Sequence, residues 1–181
     1  MADEVVVDWQ GNPWMLRPGS YWHLTPETGG FIRHNARLGK GIIFSVSMTA
    51  ALPGMSGATT RYAAGAVGQA KEALWERVRV EINPALPSRI KSLYCFETKD
   101  LAARAAREWF CNEVRIPLEL RIATASITHR CDAMLLEAQE VEWKQCAERY
   151  WKGELTAKPF PETLVHGAAY FPYWEQFPLV F

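Results

Sequence analysis

Residues 88–106 read Ser88-Arg89-Ile90-Lys91-Ser92-Leu93-Tyr94-Cys95-Phe96-Glu97-Thr98-Lys99-Asp100-Leu101-Ala102-Ala103-Arg104-Ala105-Ala106. As far as Phe96 the pattern has period two: Ile90, Ser92, Tyr94 and Phe96 share one face of a strand, Leu93 and Cys95 the other. At Thr98 the period changes. Its hydroxyl suits an N-cap, Asp100 suits a first turn, and Ala102, Ala105, Ala106 and Trp109 carry a helix from Leu101 to Cys111. Outward from this strand-to-helix joint, Ala63, Ala64, Val67, Ala70, Leu74, Trp75 and Val78 mark an earlier amphipathic helix from about Thr60 to Ile82, stopped by Asn83-Pro84. Val141, Trp143, Ala147, Tyr150 and Trp151 mark a later one ending at Gly153, and that stripe reads as core. Strands are expected at Ser20 to Thr25, closed by Pro26, at Ile42 to Val46, at Leu118 to Thr124, at Ala133 to Leu136, and once or twice within Glu162 to Phe171. Residues 27–41, rich in Gly and basic side chains, and residues 53–60 read as loops. Short strands interrupted by a few helices indicate an α+β fold, not the regular βαβ alternation of a doubly wound sheet.

A chain of 181 residues corresponds to about one domain. We divide it into an N-terminal extension at 1–19, a domain at 20–171 and an aromatic tail at 172–181. The tail has two readings, a docking strip for another chain or a segment folded back over the sheet. Twenty basic and twenty acidic residues leave a formal net charge of zero, so no global field holds polyanions or coats an anionic membrane. Eight Trp, eight Phe and six Tyr exceed what core packing alone requires. The acidic start Met1-Ala2-Asp3-Glu4 is no signal-peptide n-region, and no apolar run reaches the length of a membrane span. Cys95, Cys111, Cys131 and Cys146 form no CxxC pair and read as buried free thiols. The expected setting is a reducing cytoplasm, which a protein delivered into a target cell without a signal peptide would share.

Phosphate loop, GxGxxG, HExxH and GxSxG motifs are absent, which removes the usual sequence support for a nucleotide triphosphatase, a Rossmann dehydrogenase, a zincin or an α/β-hydrolase. No metal is expected. His129 and Asp132 need further ligands to hold one and read as part of a loop or strand pair. Three patterns in order carry the functional reading: Tyr21-Trp22-His23-Leu24-Thr25, Leu93-Tyr94-Cys95-Phe96-Glu97-Thr98 entering its helix, and Pro161-Glu162-Thr163-Leu164-Val165. With Pro87-Ser88-Arg89, Tyr150-Trp151 and Glu162-Thr163-Leu164-Val165-His166-Gly167, the arrangement resembles the His-Tyr-Glu branch of the ADP-ribosyltransferases. That branch contains diphtheria toxin and the poly(ADP-ribose) polymerases, and the likeness is greatest to a bacterial and phage subgroup of it.

The resemblance implies two small, mainly antiparallel sheets around an NAD cleft, with flanking helices. It also implies ADP-ribose transfer from NAD to a macromolecular acceptor, whether protein, RNA or DNA, with release of nicotinamide. Toxins, effectors and phage-host conflict proteins are the implied setting, with a neutralising protein as a possible partner. By the same resemblance, His23 donates to the adenosine ribose, Tyr94 stacks on nicotinamide with Phe96 as the second candidate, and Glu162 holds the nicotinamide ribose. Thr25, Arg33 and Arg89 complete the cofactor-binding set. The family's second aromatic position is Ala105 here, with Trp109 nearby.

Elementary chemistry gives the same residues a purpose. Breaking the N-glycosidic bond of NAD passes through an oxocarbenium-like state, which a carboxylate beside the ribose stabilises. A flat cationic ring favours an aromatic face, and a pyrophosphate needs donors, for which Arg33, Arg37, Lys40 and Arg89 are nearest in sequence. Arg89 has a second reading, a pair with a helix acid. His166 is expected on the strand face of Glu162. The rival functions are a nucleotide- or protein-binding module without turnover and an aromatic-rich nucleic-acid binder, the latter lacking a basic stripe.

Overall fold

The computed structural model describes residues 4–27, 31–60, 66–110 and 112–178. Ala63, Ala64 and Cys111, used above for helices and thiols, lie outside them. The fold is mixed α and β with small antiparallel sheets. The chain divides into two compact units, one of Met1–Phe44, Cys95–Ser126 and Gly167–Phe181, the other of Ser45–Tyr94 and Ile127–His166. The boundaries expected at 19/20 and 171/172 do not coincide with this division.

In the first unit a hairpin, β1 (Glu4–Val7) and β2 (Pro13–Leu16), turns through Asp8. The Asp8 carboxylate accepts from the backbone N–H groups of Gln10 and Asn12, from Asn12 Nδ2 and from Trp14 Nε1. The expected N-terminal extension is thus a built element: Leu16 is fully buried and bridges to Ala123. The main sheet runs β3-β6-β9-β4 from β3 (Tyr21–Pro26), β4 (Ile42–Phe44), β6 (Arg115–Ile122) and β9 (Ala168–Tyr170). Its core joins Ile42, Ala123 and Ala168 with Val6, Trp14 and Tyr170.

The loop expected at 27–41 contains instead a helix, α1 (Phe31–Leu38), whose only buried residue is Ala36. Glycines at both ends and a length of only two turns obscure its period. It closes by Gly39 and Gly41 N–H groups donating to Asn35 and Ala36 carbonyls, with Lys40 at φ 50° and Gly41 at φ 91°. The strand expected through Val46 stops at Phe44, and residues from Val46 form α2 (Val46–Ala50). Thr98 does cap α4 (Lys99–Trp109), accepting from Leu101 N–H at 3.2 Å. The aromatic tail folds back: Phe177 meets Phe171 edge-on, and Arg37 donates to the Glu175 carbonyl beneath Trp174.

The second unit has a three-stranded sheet ordered β5-β8-β7, from β5 (Leu93–Cys95), β7 (Ile127–Asp132) and β8 (Pro161–His166). Helices α3 (Ala66–Ile82) and α5 (Trp143–Trp151) pack together, and Trp151 Nε1 donates to the Trp75 carbonyl at 2.7 Å. Trp75, Val78, Tyr94, Leu135, Ala147, Tyr150, Trp151 and Leu164 form the core. Two strand expectations are corrected here. Arg89–Lys91 is a 3-10 turn, because Ser92 Oγ reaches back to the Ser88 carbonyl, so the strand shortens to Leu93–Cys95. Ala133–Glu137 is also a 3-10 turn, capped by Asp132, while the strand lies just before it. Cys95 and Cys131 are buried free thiols, and Cys146 is partly buried. No helix among the described residues is long and apolar enough to cross a membrane.

Candidate active site

Strand alternation puts Glu162, Leu164 and His166 on one face of β8. Leu164 belongs to the core of Trp75 and Tyr150, so Glu162 enters apolar surroundings where a charge requires partners. On α3, Glu72 lies three residues before Trp75 and presents a second carboxylate to the same interior, only 9% exposed. Between them stands Arg89, delivered by the 3-10 turn and 6% exposed.

The contacts are short and specific. Arg89 Nη1 donates to Glu162 Oε1 at 2.7 Å and to the Tyr150 hydroxyl at 2.6 Å. Tyr150 donates its own proton to the same Glu162 Oε1 at 2.6 Å. The Nε edge of the guanidinium meets the Glu72 carboxylate at 3.2 and 3.3 Å. The Arg89 cation also lies 5.3 Å from the Tyr94 ring centre and 5.2 Å from that of Tyr150, and Tyr94 donates to the Arg89 carbonyl at 2.7 Å. One guanidinium against two carboxylates gives this buried cluster a formal charge of −1. Glu162 Oε2 has no hydrogen-bond partner among the described residues.

Titration directions follow from these contacts. Burial opposes the Arg89 charge, but Tyr150, Tyr94, Glu162 and Glu72 outweigh it and raise the guanidinium further. Burial pushes the Tyr150 phenol well above its usual range against the pull of Arg89, so Tyr150 keeps the proton it donates. Beneath them the Cys131 thiol is raised by burial and by Glu162, which makes it inert. Lys71, on α3 beside Glu72, is lowered by burial although Glu137 and Glu72 oppose that.

Of the residues expected in the site, Arg89, Tyr94 and Glu162 meet in this cluster of the second unit. His23, Thr25, Arg33 and Phe96 belong to the first unit. There His23 is 7% exposed, the fully buried Thr25 hydroxyl has no partner among the described residues, and Arg33 donates to the carbonyls of Pro26 and Glu27. Phe96 pairs its backbone with Trp22 and packs its ring against Trp109, 6.1 Å away. Arg89, expected at a pyrophosphate, takes its alternative reading as partner of a helix acid. Tyr94, expected as a nicotinamide platform, has the Arg89 cation over its ring.

His129 stacks on Trp151 at 5.6 Å, while Asp132 accepts from the Met134, Thr156 and Phe160 backbone N–H groups and the Thr156 hydroxyl. Among the described residues no group of three or more His, Cys, Asp or Glu side chains is placed to hold a metal. Two members of the cluster carry no site role on sequence grounds: Tyr150 lies in a quoted motif and reads as core, where it is indeed buried, and Glu72 belongs to no motif. A carboxylate on the Trp75 and Arg79 face of an amphipathic helix was the available signal.

Residues 53–171 match a family described as protein of unknown function (DUF2441). The chain belongs to this family. No curated protein matches the sequence. Glu72, Arg89, Tyr94, Tyr150 and Glu162 all lie within the DUF2441 region, whereas His23, Thr25 and Arg33 precede it. The buried cluster is therefore a feature of the part of the chain that defines membership, and the first-strand residues are not.

Proposed function

We propose that this DUF2441 protein is an NAD-dependent ADP-ribosyltransferase that releases nicotinamide and moves ADP-ribose to a macromolecular acceptor. One observation carries the reading: the Glu162 carboxylate is buried, held through Oε1 by Tyr150 and Arg89, and without a partner at Oε2. As the bond from ribose C1′ to the nicotinamide nitrogen breaks, its electron pair leaves with nicotinamide and positive charge spreads over C1′ and the ring oxygen. A fixed anion beside that charge lowers the barrier because the charge develops only there.

The residue types fit NAD in part, in that Glu162 suits the ribose. Arg89 turns its donors to Glu72, Glu162 and the Tyr150 hydroxyl, so in this reading it acts through Glu162 and not on the pyrophosphate. Incubation with labelled NAD and a lysate tests the proposal: wild type releases nicotinamide or labels an acceptor, and Glu162→Gln loses about 100- to 1,000-fold of that rate. Equal rates in the two proteins overturn it.

The internal commitment of Arg89 and Tyr94 favours a second reading, a nucleotide- or protein-binding module without turnover. Saturable NAD binding with no nicotinamide release across a broad acceptor panel selects that reading.

A further inference from the structure

We infer that Tyr150 and Arg89 are positioning residues that fix Glu162 through Oε1 and reserve Oε2 for substrate, with Glu72 holding Arg89 from its other edge. This rests on the reading of Glu162 as the acting carboxylate. The geometry is not that of an ion pair built for stability alone. An arginine and a carboxylate left to themselves favour two parallel bonds, one to each oxygen. Here both short bonds, at 2.7 and 2.6 Å, converge on Oε1. The Nε edge of Arg89 is turned to Glu72 instead, at 3.2 Å. Glu162 is thus gripped end-on, and its second oxygen is left unpaired in a residue only 4% exposed.

The grip also draws on four separate elements: Glu72 from α3, Arg89 from the turn before β5, Tyr150 from α5 and Glu162 from β8. Tyr150 supplies a proton donor on a rigid ring, near the C-terminal end of a helix whose Trp151 is itself tied to Trp75. Of the motifs quoted from the sequence, Pro87-Ser88-Arg89, Tyr150-Trp151 and the Glu162 strand meet at this one oxygen.

Initial rates of nicotinamide release against NAD concentration, measured on the full chain with thermal unfolding alongside, test the assignment. Tyr150→Phe keeps the ring and deletes the donor to Oε1. It is expected to lower kcat about 10- to 100-fold, as a misplaced reacting group does, while KM for NAD stays within about twofold because Tyr150 does not touch NAD. Glu72→Gln, one step further out, is expected to lower kcat less than Tyr150→Phe does. Wild-type kcat in Tyr150→Phe overturns the inference, as does a loss that merely follows the unfolded fraction or falls on KM. A Glu162→Gln enzyme as active as wild type, or a wild type with no release, overturns the underlying reading instead, and the positioning role falls with it.

Discussion

The two units solve the problem of ionisable side chains in opposite ways. In the first, Asp8 is the only buried carboxylate among the described residues, and neutral donors surround it in a tight turn. Its ion pairs, Arg121 with Glu4, Arg104 with Glu108 and Arg115 with Glu113, each keep a partner open to solvent. The second unit buries Glu72, Arg79, Arg89, Asp132 and Glu162. A buried ion network is weak evidence for stability, because desolvation offsets much of its attraction. Under the proposed function, the unit that buries costly charges is the one in which those charges have another use.

The strongest way to break this contrast is Arg89→Met. It removes the one cation between two buried carboxylates and is expected to destabilise the protein by about 3–5 kcal/mol, read from denaturant unfolding. Replacing all three charges, as Glu72→Gln, Arg89→Met and Glu162→Leu together, is expected to recover most of that stability while abolishing any activity. A single Arg89→Met protein as stable as wild type would show that the second unit carries no strained charge network, and the contrast would fail.

The counterpart in the first unit is steric. Gly41 has φ 91°, and a Cβ there would lie 2.4 Å from the Tyr170 ring and 2.5 Å from Trp174. Gly41→Ala is expected to cost about 1–3 kcal/mol through backbone strain and overpacking, measured by the same unfolding curves. A neutral result would mean that the turn after α1 and the folded-back tail yield easily.

What could be read in advance divides along the range of the signal. β3, the Thr98 cap, α5 and the closing strands follow local rules of alternation, capping and helical period, and the sequence displays them. The helix α1 is hard to read because it is only two turns long, Phe31–Leu38, set between glycines and basic residues, and its apolar side chains Phe31 and Leu38 stay exposed. Residues 89–91 read as strand by the alternation of Ile90, Ser92 and Tyr94, and Ala133 to Leu136 by its apolar run; both are 3-10 turns because Ser92 and Asp132 side chains bond the backbone there. In the site, Arg89, Tyr94 and Glu162 were named from motifs. Their joint arrangement was not legible, since Arg89 reaches Tyr150 across 61 residues and Glu162 across 73. Pairing over such separations is a product of packing, and only Glu72's place on an apolar helix face hinted at it.

The smallest expected effect sharpens the same contrast through pH. In the second unit burial holds the His129 imidazole below its usual range, although its bond to the Tyr150 carbonyl opposes this. His166 is lowered by burial and by Arg79 and Lys91, against Glu76. A histidine depressed in the folded state stabilises fully above its unfolded pKa of about 6.5, and that contribution is lost as pH falls through the lower folded value. For Asp132, burial raises the carboxyl but the bonds from Thr156, Phe160 and Met134 outweigh it and hold it low, so its contribution is lost only at more acid pH. In the first unit Asp8 is raised by burial, yet bonds from Trp14, Asn12 and Gln10 bring it to about 2. Its contribution therefore stays intact down to about pH 4, the unfolded carboxylate range, and disappears toward pH 2. Lowering the pH from 7.5 to 5 should loosen the second unit first. Hydrogen exchange, corrected for its intrinsic pH dependence, should show reduced protection at Leu164 and Val165 while Leu120 and Ile122 hold theirs. His129→Phe should flatten part of that slope, because it removes one of the groups that must charge. Equal loss of protection at both sets of amides would mean that the imidazoles are not what separates the units.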